Sequence, residues 1–309
     1  MSLGALRGGG KRALAAALAG LERDPAGEAA QALLDAAWRS PKAHVVGVTG
    51  PPGVGKSSLC AALVAAWRKA GFTVGVIAVD PSSRASGGAL LGDRVRIVHD
   101  SADEGSFVRS MAARDRLGGL ADQTLAAMVV MRALFDRVLI ETVGVGQSET
   151  DVAGVADTVV FCVQPGSGDS LQFMKAGIVE IPHLIVVTKA DLGAAAERAR
   201  ADVAGALSLA SAGDDWTVKT LAVSSRTGAG LEALTAALDQ HCAHLAANGR
   251  LAVVRHRQSE GWVVESLRER FGREGIARLG RLGFDLALTP GTQPFQRLGE
   301  LAKALEADR

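Results

Sequence analysis

From His44 onward, short apolar and β-branched runs alternate with longer stretches whose apolar residues recur at helical spacing. The runs at 44–49, 73–79, 137–140, 158–163, 183–187 and 218–223 show little polar alternation. That pattern marks strands covered on both faces, as in a parallel sheet. Between them, 56–70, 121–134, 170–180, 194–211 and 230–245 predict helices. Two further helices are expected before the first strand, at 11–22 and 27–38, separated by Pro25-Ala26-Gly27. After about Leu245 the strand signal stops. Val263, Leu267 and Phe271, then Ile276, Leu279 and Leu282, then Phe295, Leu298, Leu301 and Leu305 form three helical stripes. Gly272, Gly275, Gly283 and Pro290 punctuate them. The expected fold is α/β, a doubly wound and mostly parallel sheet. It would comprise an N-terminal helical extension (1–42), a central domain (43–245) and a C-terminal helical arm (246–309). The arm has two readings: it folds back on the core, or it meets another chain.

Composition narrows the class. Of 309 residues, 48% are hydrophobic and 22% charged, the balance of a globular enzyme rather than a disordered chain. Aromatics are 4% with no Tyr, so Val, Leu, Ile and Ala must build the core. A net charge of +1 gives no electrostatic reason to expect nucleic acid. Cys60, Cys162 and Cys242 are odd in number and scattered, which fits free thiols in a reducing compartment. No apolar stretch approaches the roughly 18 residues of a membrane span. Lys11-Arg12 followed by apolar 13–21 resembles the start of a signal peptide. It runs into Glu22-Arg23-Asp24 without a small-residue cleavage site, so an alanine-rich helix and a cytoplasmic protein are expected. An organellar transit peptide is the alternative, because no acidic residue precedes Glu22.

The chemistry begins at Gly50-Pro51-Pro52-Gly53-Val54-Gly55-Lys56-Ser57, which matches G-x-x-x-x-G-K-S/T. It follows an expected strand and opens an expected helix at Ser58, the context a phosphate-binding P-loop requires. Glycines let backbone N–H groups turn inward around phosphates, and the helix N-terminus adds a favourable dipole. Lys56 offers charge to the β- and γ-phosphates, and the Ser57 hydroxyl can ligate Mg2+. Three carboxylates stand where strands or their loops end: Asp80, Asp93 and Glu141. Acids at the carboxyl edge of a parallel sheet face the ligand crevice and can help hold the metal. Beyond Glu141, Gly144 and Gly146 give a loop able to approach a γ-phosphate and act as a switch. Gln147 either positions the attacking water or is simply solvated.

Thr188-Lys189-Ala190-Asp191 follows another strand and resembles the guanine-reading N/T-K-x-D element of G proteins. An Asp carboxylate there accepts N1–H and N2–H of guanine, donors that adenine lacks. The alternative is a helix N-cap at Asp191. Ser224-Ser225-Arg226 follows the last strand, where G proteins close over the base.

Together these segments resemble one family. Residues 50–58, Asp80-Pro81-Ser82-Ser83, 87–93, 141–149 (Glu-Thr-Val-Gly-Val-Gly-Gln-Ser-Glu), Gly168-Asp169-Ser170-Leu171-Gln172 and 188–191 are similar to the methylmalonyl-CoA-mutase-associated GTPases of the MeaB/ArgK type. The resemblance covers roughly 40–230. It implies a SIMIBI-type G domain that binds GTP or GDP with Mg2+. It also implies a homodimeric chaperone coupling GTP hydrolysis to adenosylcobalamin loading and protection of a B12-dependent acyl-CoA mutase. Asp80, Asp93 and Glu141 match family positions near Mg2+ and the switches, and 168–175 a loop that senses the partner. The family usually carries Asn where Thr188 stands, so a contact to the base or P-loop is expected to be lost. The stretch 107–119 and the tail also depart from the common pattern, which leaves room for a different mutase client. Two rivals remain: an ATP-dependent transport-associated kinase, and a metal-insertion GTPase. The second would need a metal cluster, for which His241-Cys242-Ala243-His244 is the candidate; an ordinary helix surface is the expected alternative.

Overall fold

The computed structural model of the chain describes residues 2–81, 102–113, 122–142, 151–166, 181–209, 216–289 and 291–308. Among them seven strands form one sheet in the order β3-β2-β4-β1-β5-β6-β7, every neighbouring pair parallel. The strands are β1 His44–Thr49, β2 Val74–Pro81, β3 Ser106–Ala113, β4 Arg137–Glu141, β5 Thr158–Val163, β6 Leu184–Val187 and β7 Lys219–Ala222. The helices are α1 Leu3–Arg23, α2 Glu28–Trp38, α3 Lys56–Lys69, α4 Asp122–Leu134, α5 Ala194–Leu209, α6 Leu231–Ala246, α7 Arg250–Arg281 and α8 Pro294–Ala307.

Alternation along the strands sets the two layers, because successive side chains point to opposite faces. Val45, Ile77, Val138, Ile140 and Val159 pack against α1, α2 and α4. Val46, Val48, Val76, Leu139, Val160 and Cys162 pack against α3 and α6 through Leu59, Leu63, Leu234 and Leu238. The N-terminal helices therefore help to cover the sheet, with Leu6, Leu14, Leu18, Leu33 and Leu34 in the same apolar cluster as Val45. Central β1 lies between β4 and β5, so the chain winds outward in both directions from it. A crevice opens at the carboxyl ends of the strands where winding reverses.

The six strands expected from the sequence are present, and β3 is an addition. Its run Ser-Phe-Val-Arg-Ser-Met-Ala-Ala lacks the continuous apolar signal because it is an edge strand. Arg109 on it meets Glu22 of α1 at 2.5 Å. The expected helix at 170–180 lies outside the described residues. α1 begins earlier than expected, at Leu3, with a break at Gly10, where φ is 60°. The first two tail stripes form α7, interrupted at Gly272, where φ is 70°.

Of the two readings of the arm, the structure has it folded back. Arg255 on α7 grips Asp157 with two bonds, Nε to Oδ1 at 2.8 Å and Nη2 to Oδ2 at 2.7 Å. Gln258 donates to the carbonyls of Ala153 and Ala156, both at 2.8 Å. Phe295 on α8 meets Trp38 edge-on at 6.3 Å and lies 5.0 Å from Trp262. A second small core of Val263, Leu267, Leu279, Leu298, Leu301 and Leu305 holds α7 to α8. No helix among the described residues is long and apolar enough to cross a membrane.

Candidate nucleotide site

β1 delivers the chain into the loop 50–55 at the centre of the sheet's carboxyl edge. Gly50 is obligatory there: its φ is 136°, and a Cβ would lie 2.3 Å from the Cys162 carbonyl oxygen. The loop ends in left-handed Gly55, the N-cap of α3, whose first turn contains no acid to oppose an anion. Lys56 is buried, and its ammonium donates to the carbonyls of Gly50 at 2.8 Å and Pro51 at 3.0 Å. Ser57 Oγ donates to Glu141 Oε1 at 2.6 Å. Glu141 is the last residue of β4 and is buried. Asp80 lies on adjacent β2 two positions beyond Ala78, which pairs with Glu141. β2 thus runs through Asp80 to Pro81 rather than ending before it. Asp93, Gly144 and Gln147 lie outside the described residues.

The second wall is built by the ends of β6 and β7. Lys189 adopts the left-handed conformation, φ 54°, and its Nζ lies 2.5 Å from Gln164 Oε1 and 3.3 Å from the Gly53 carbonyl. The Thr188 hydroxyl lies 2.7 Å from the Val54 carbonyl and 3.0 Å from that of Val163. The expected loss of a contact at Thr188 is thus corrected for the P-loop: the shorter side chain still reaches it. Asp191 accepts from Ser224 Oγ at 2.6 Å and pairs with Arg226 at 2.9 Å. The Ser224 hydroxyl, then the Arg226 guanidinium, hold its carboxyl below the usual carboxylate range. Asp191 lies within the short turn Ala190–Leu192 and does not cap a helix.

Between the walls is a cavity of about 470 Å³, bounded by Gly55, Ser58, Ala61 and Ala62 on one side. Asp191, Ser225 and Arg226 bound it on the other. Ala61, Ala62 and Gln164 were not singled out from sequence. The only hint was small residues on the α3 turn facing the loop. Beneath the loop, burial pushes the Cys162 thiol up to about 12 and Cys60 well above its ordinary value, so neither supplies a thiolate.

His241 is not on a helix surface, as the sequence suggested, but buried. Its ring lies 4.2 Å from that of His183 and 4.6 Å from Trp216. Its Nδ1 and the Nε2 of buried His44 each lie 2.6 Å from the Thr158 hydroxyl. Among the described residues no group of three or more His, Cys, Asp or Glu side chains could hold a metal ion. Burial lowers His44 to about 4, with Asp157 opposing and Arg137 and Arg255 assisting; burial, then His183, lowers His241 to about 2. Both stay neutral while an unfolded chain takes up protons near 6.5. Stability is therefore full above that pH and falls as pH drops toward 4. His44 alone should contribute on the order of 3 kcal/mol to the fall. Urea unfolding of His44→Gln between pH 7 and 5 should show a shallower pH slope than the parent. An unchanged slope would show that His44 is not kept neutral.

Three comparisons bear on this arrangement. A family model described as methylmalonyl Co-A mutase-associated GTPase MeaB matches residues 14–277. A putative GTPase of Pyrococcus horikoshii is 43% identical over 222 residues, covering 71% of this chain and 70% of that protein. The mitochondrial methylmalonic aciduria type A homolog of Mus musculus is 37% identical over 259 residues, covering 80% of this chain and 62% of that protein. A crystal structure described as an LAO/AO transport system kinase superposes with a TM-score of 0.69 at 27% identity. It covers 97% of this chain and 96% of that one.

Proposed function

This chain belongs to the methylmalonyl-CoA-mutase-associated GTPases, and on that premise we propose that it is a chaperone gating adenosylcobalamin loading and protection of a B12-dependent acyl-CoA mutase. The observation that carries the nucleotide assignment is the Asp191 carboxylate, held by Ser224 and Arg226 across the cavity from the P-loop. Guanine can satisfy that carboxylate with two N–H donors, whereas adenine would leave it facing an acceptor.

Phosphate binding falls to the loop amides of 50–55, the α3 N-terminus and the Lys56 ammonium, which exchanges its carbonyl partners for phosphate oxygens. The adjacent Ser57 hydroxyl and Glu141 carboxylate are hard oxygen donors that suit Mg2+. Asp80 lies on the strand next to Glu141, and Asp93 completes the assignment by resemblance. When bound, Mg2+ neutralises charge on the transferring phosphoryl group. Lys56 contributes the same kind of stabilisation from the chain itself. Gln147 is assigned to the attacking water, Gly144 to the γ-phosphate loop, and Thr188, Lys189, Ser224, Ser225 and Arg226 to the base and its enclosure. The C-terminal arm is assigned to homodimer formation and client contact.

Asp191→Ala should weaken GTP binding by about 1–3 kcal/mol, roughly 5- to 150-fold, while leaving ATP affinity nearly unchanged. Competition of each nucleotide against a fluorescent GTP analogue measures both. Equal competition by ATP and GTP in the parent protein would favour the kinase reading instead. For the client, pull-down of purified B12-dependent mutases is decisive when run with GDP and with a non-hydrolysable GTP analogue. Failure of every mutase to bind in a nucleotide-sensitive way would remove the chaperone assignment and leave the GTPase standing.

A further inference from the structure

We propose, resting on the reading that Asp191 takes the N1–H and N2–H donors of guanine, that Arg226 completes base selection by donating from its guanidinium to guanine O6. Arg226 Nη2 lies 2.9 Å from Asp191 Oδ2, and Ser224 Oγ donates to Asp191 Oδ1 at 2.6 Å. Each carboxylate oxygen thus already holds a donor. A carboxylate offers about four lone-pair sites, so each oxygen keeps room for one N–H of the base. The Arg226–Asp191 pair need not open for guanine to enter.

The order of these groups sets which way round the base lies. Along its pairing edge guanine presents N2–H, N1–H and O6, two donors and then an acceptor. Asp191 and Arg226 present Oδ1, Oδ2 and a guanidinium N–H, two acceptors and then a donor. With N2–H on Oδ1 and N1–H on Oδ2, O6 falls beside Arg226 and all three positions match. Turned the other way, O6 would face Ser224, whose single hydroxyl proton is already given to Oδ1. The neighbouring donors are committed elsewhere: the Thr188 hydroxyl lies 2.7 Å from the Val54 carbonyl, and Lys189 Nζ lies 2.5 Å from Gln164 Oε1. The Arg226 side chain is 76% exposed and bounds the same cavity as Asp191, so it can follow the base without disturbing any packing.

Adenine meets the reverse pattern. It carries an N1 acceptor and an N6 amine where guanine has N1–H and O6. In the same pose the amine would face the Arg226 guanidinium, donor against donor, and N1 would face the Asp191 carboxylate, acceptor against acceptor. Arg226 therefore adds a repulsive element against ATP as well as an attraction for GTP. Exposure limits the size of the effect, because water competes for the same hydrogen bond. The expected contribution is about 3- to 10-fold in affinity.

Competition against a fluorescent GTP analogue, with the full-length protein and Mg2+, tests this contact atom by atom. GTP and 6-thio-GTP differ only at position 6, where sulfur is a poor acceptor. The parent should bind 6-thio-GTP about 3- to 10-fold more weakly than GTP. Arg226→Ala should lose that factor for GTP and bind the two nucleotides equally, and Arg226→Lys should recover part of the preference. ITP keeps O6 but lacks the 2-amino group, so Arg226→Ala should weaken ITP by the same factor as GTP. A preference for GTP over 6-thio-GTP that is absent from the parent, or survives intact in Arg226→Ala, overturns the assignment of O6 to Arg226. A loss in Arg226→Ala that spares ITP also overturns it, since Arg226 would then act only through Asp191. In each of those cases a parent that still prefers GTP to ATP keeps the guanine reading of Asp191. Equal competition by ATP and GTP in the parent removes that reading and the Arg226 contact with it.

Discussion

Lys56→Ala should lower GTP turnover by at least 10²- to 10³-fold, with little change in the melting temperature. The magnitude follows from removing one preorganised donor aimed at charge that develops in the transition state. Stability should hold because the carbonyls of Gly50 and Pro51, which Lys56 bonds, lie at a loop that water can reach once the ammonium is gone. The measurement is multiple-turnover phosphate release at saturating GTP, beside circular dichroism to confirm the fold. Turnover within tenfold of the parent would move the catalytic site away from this loop. Lys56→Arg should not rescue, because a planar fork cannot follow the path of a compact ammonium through a loop this tight.

Arg255→Ala should be the most destabilising single change in the arm, at about 3–5 kcal/mol. Asp157 is 1% exposed, so removal of its bidentate partner strands a carboxylate with little water to replace it. Burial alone would push the Asp157 carboxyl up, yet the Arg255 hydrogen bonds hold it below the usual range. The parent's contribution is therefore present above the unfolded value near 3.8 and lost only as pH falls through the lower folded one. In Arg255→Ala the Val45 amide is left as the hydrogen-bond donor opposing burial, so Asp157 should take up a proton at higher pH. The stability gap between parent and variant should narrow on acidification. Urea unfolding at pH 7.5 and pH 5 measures both effects; a gap that widens at pH 5 would contradict the account. Arg255→Lys should recover only part of the loss, since Nε and Nη2 reach the two carboxylate oxygens as a planar pair.

The phosphate loop was legible in the sequence because its geometry is local: strand, glycines, lysine and helix start follow one another within about fifteen residues. The Thr188–Asp191 wall was legible for the same reason, a short motif anchored to a strand end. What eluded the sequence depends on packing between distant segments. β3 pairs on one side only, so its residues never needed the unbroken apolar run that marks an interior strand. His241 read as a surface residue because helix periodicity alone does not reveal that His183 and Trp216, far away in the chain, close over it. The stripes of the arm were clear, but the same stripe serves an internal contact or a second chain. Arg255 and Gln258, polar residues on α7, show the internal contact by finding partners at 153–157.

Those partners of Gln258 have a thermodynamic meaning. The carbonyls it grips belong to the turn Val152–Gly154 and its exit, a few residues after the glycine-rich loop that begins at Thr142. One amide side chain therefore ties the arm to the turn that follows, in sequence, the segment proposed to sense the γ-phosphate. Linkage makes such a tie symmetric. If that turn responds to nucleotide, a protein that seizes α7 would alter the affinity for GTP by the factor with which GTP alters its own hold. The proposed client would then be an effector of the nucleotide site as much as the nucleotide is a signal to the client.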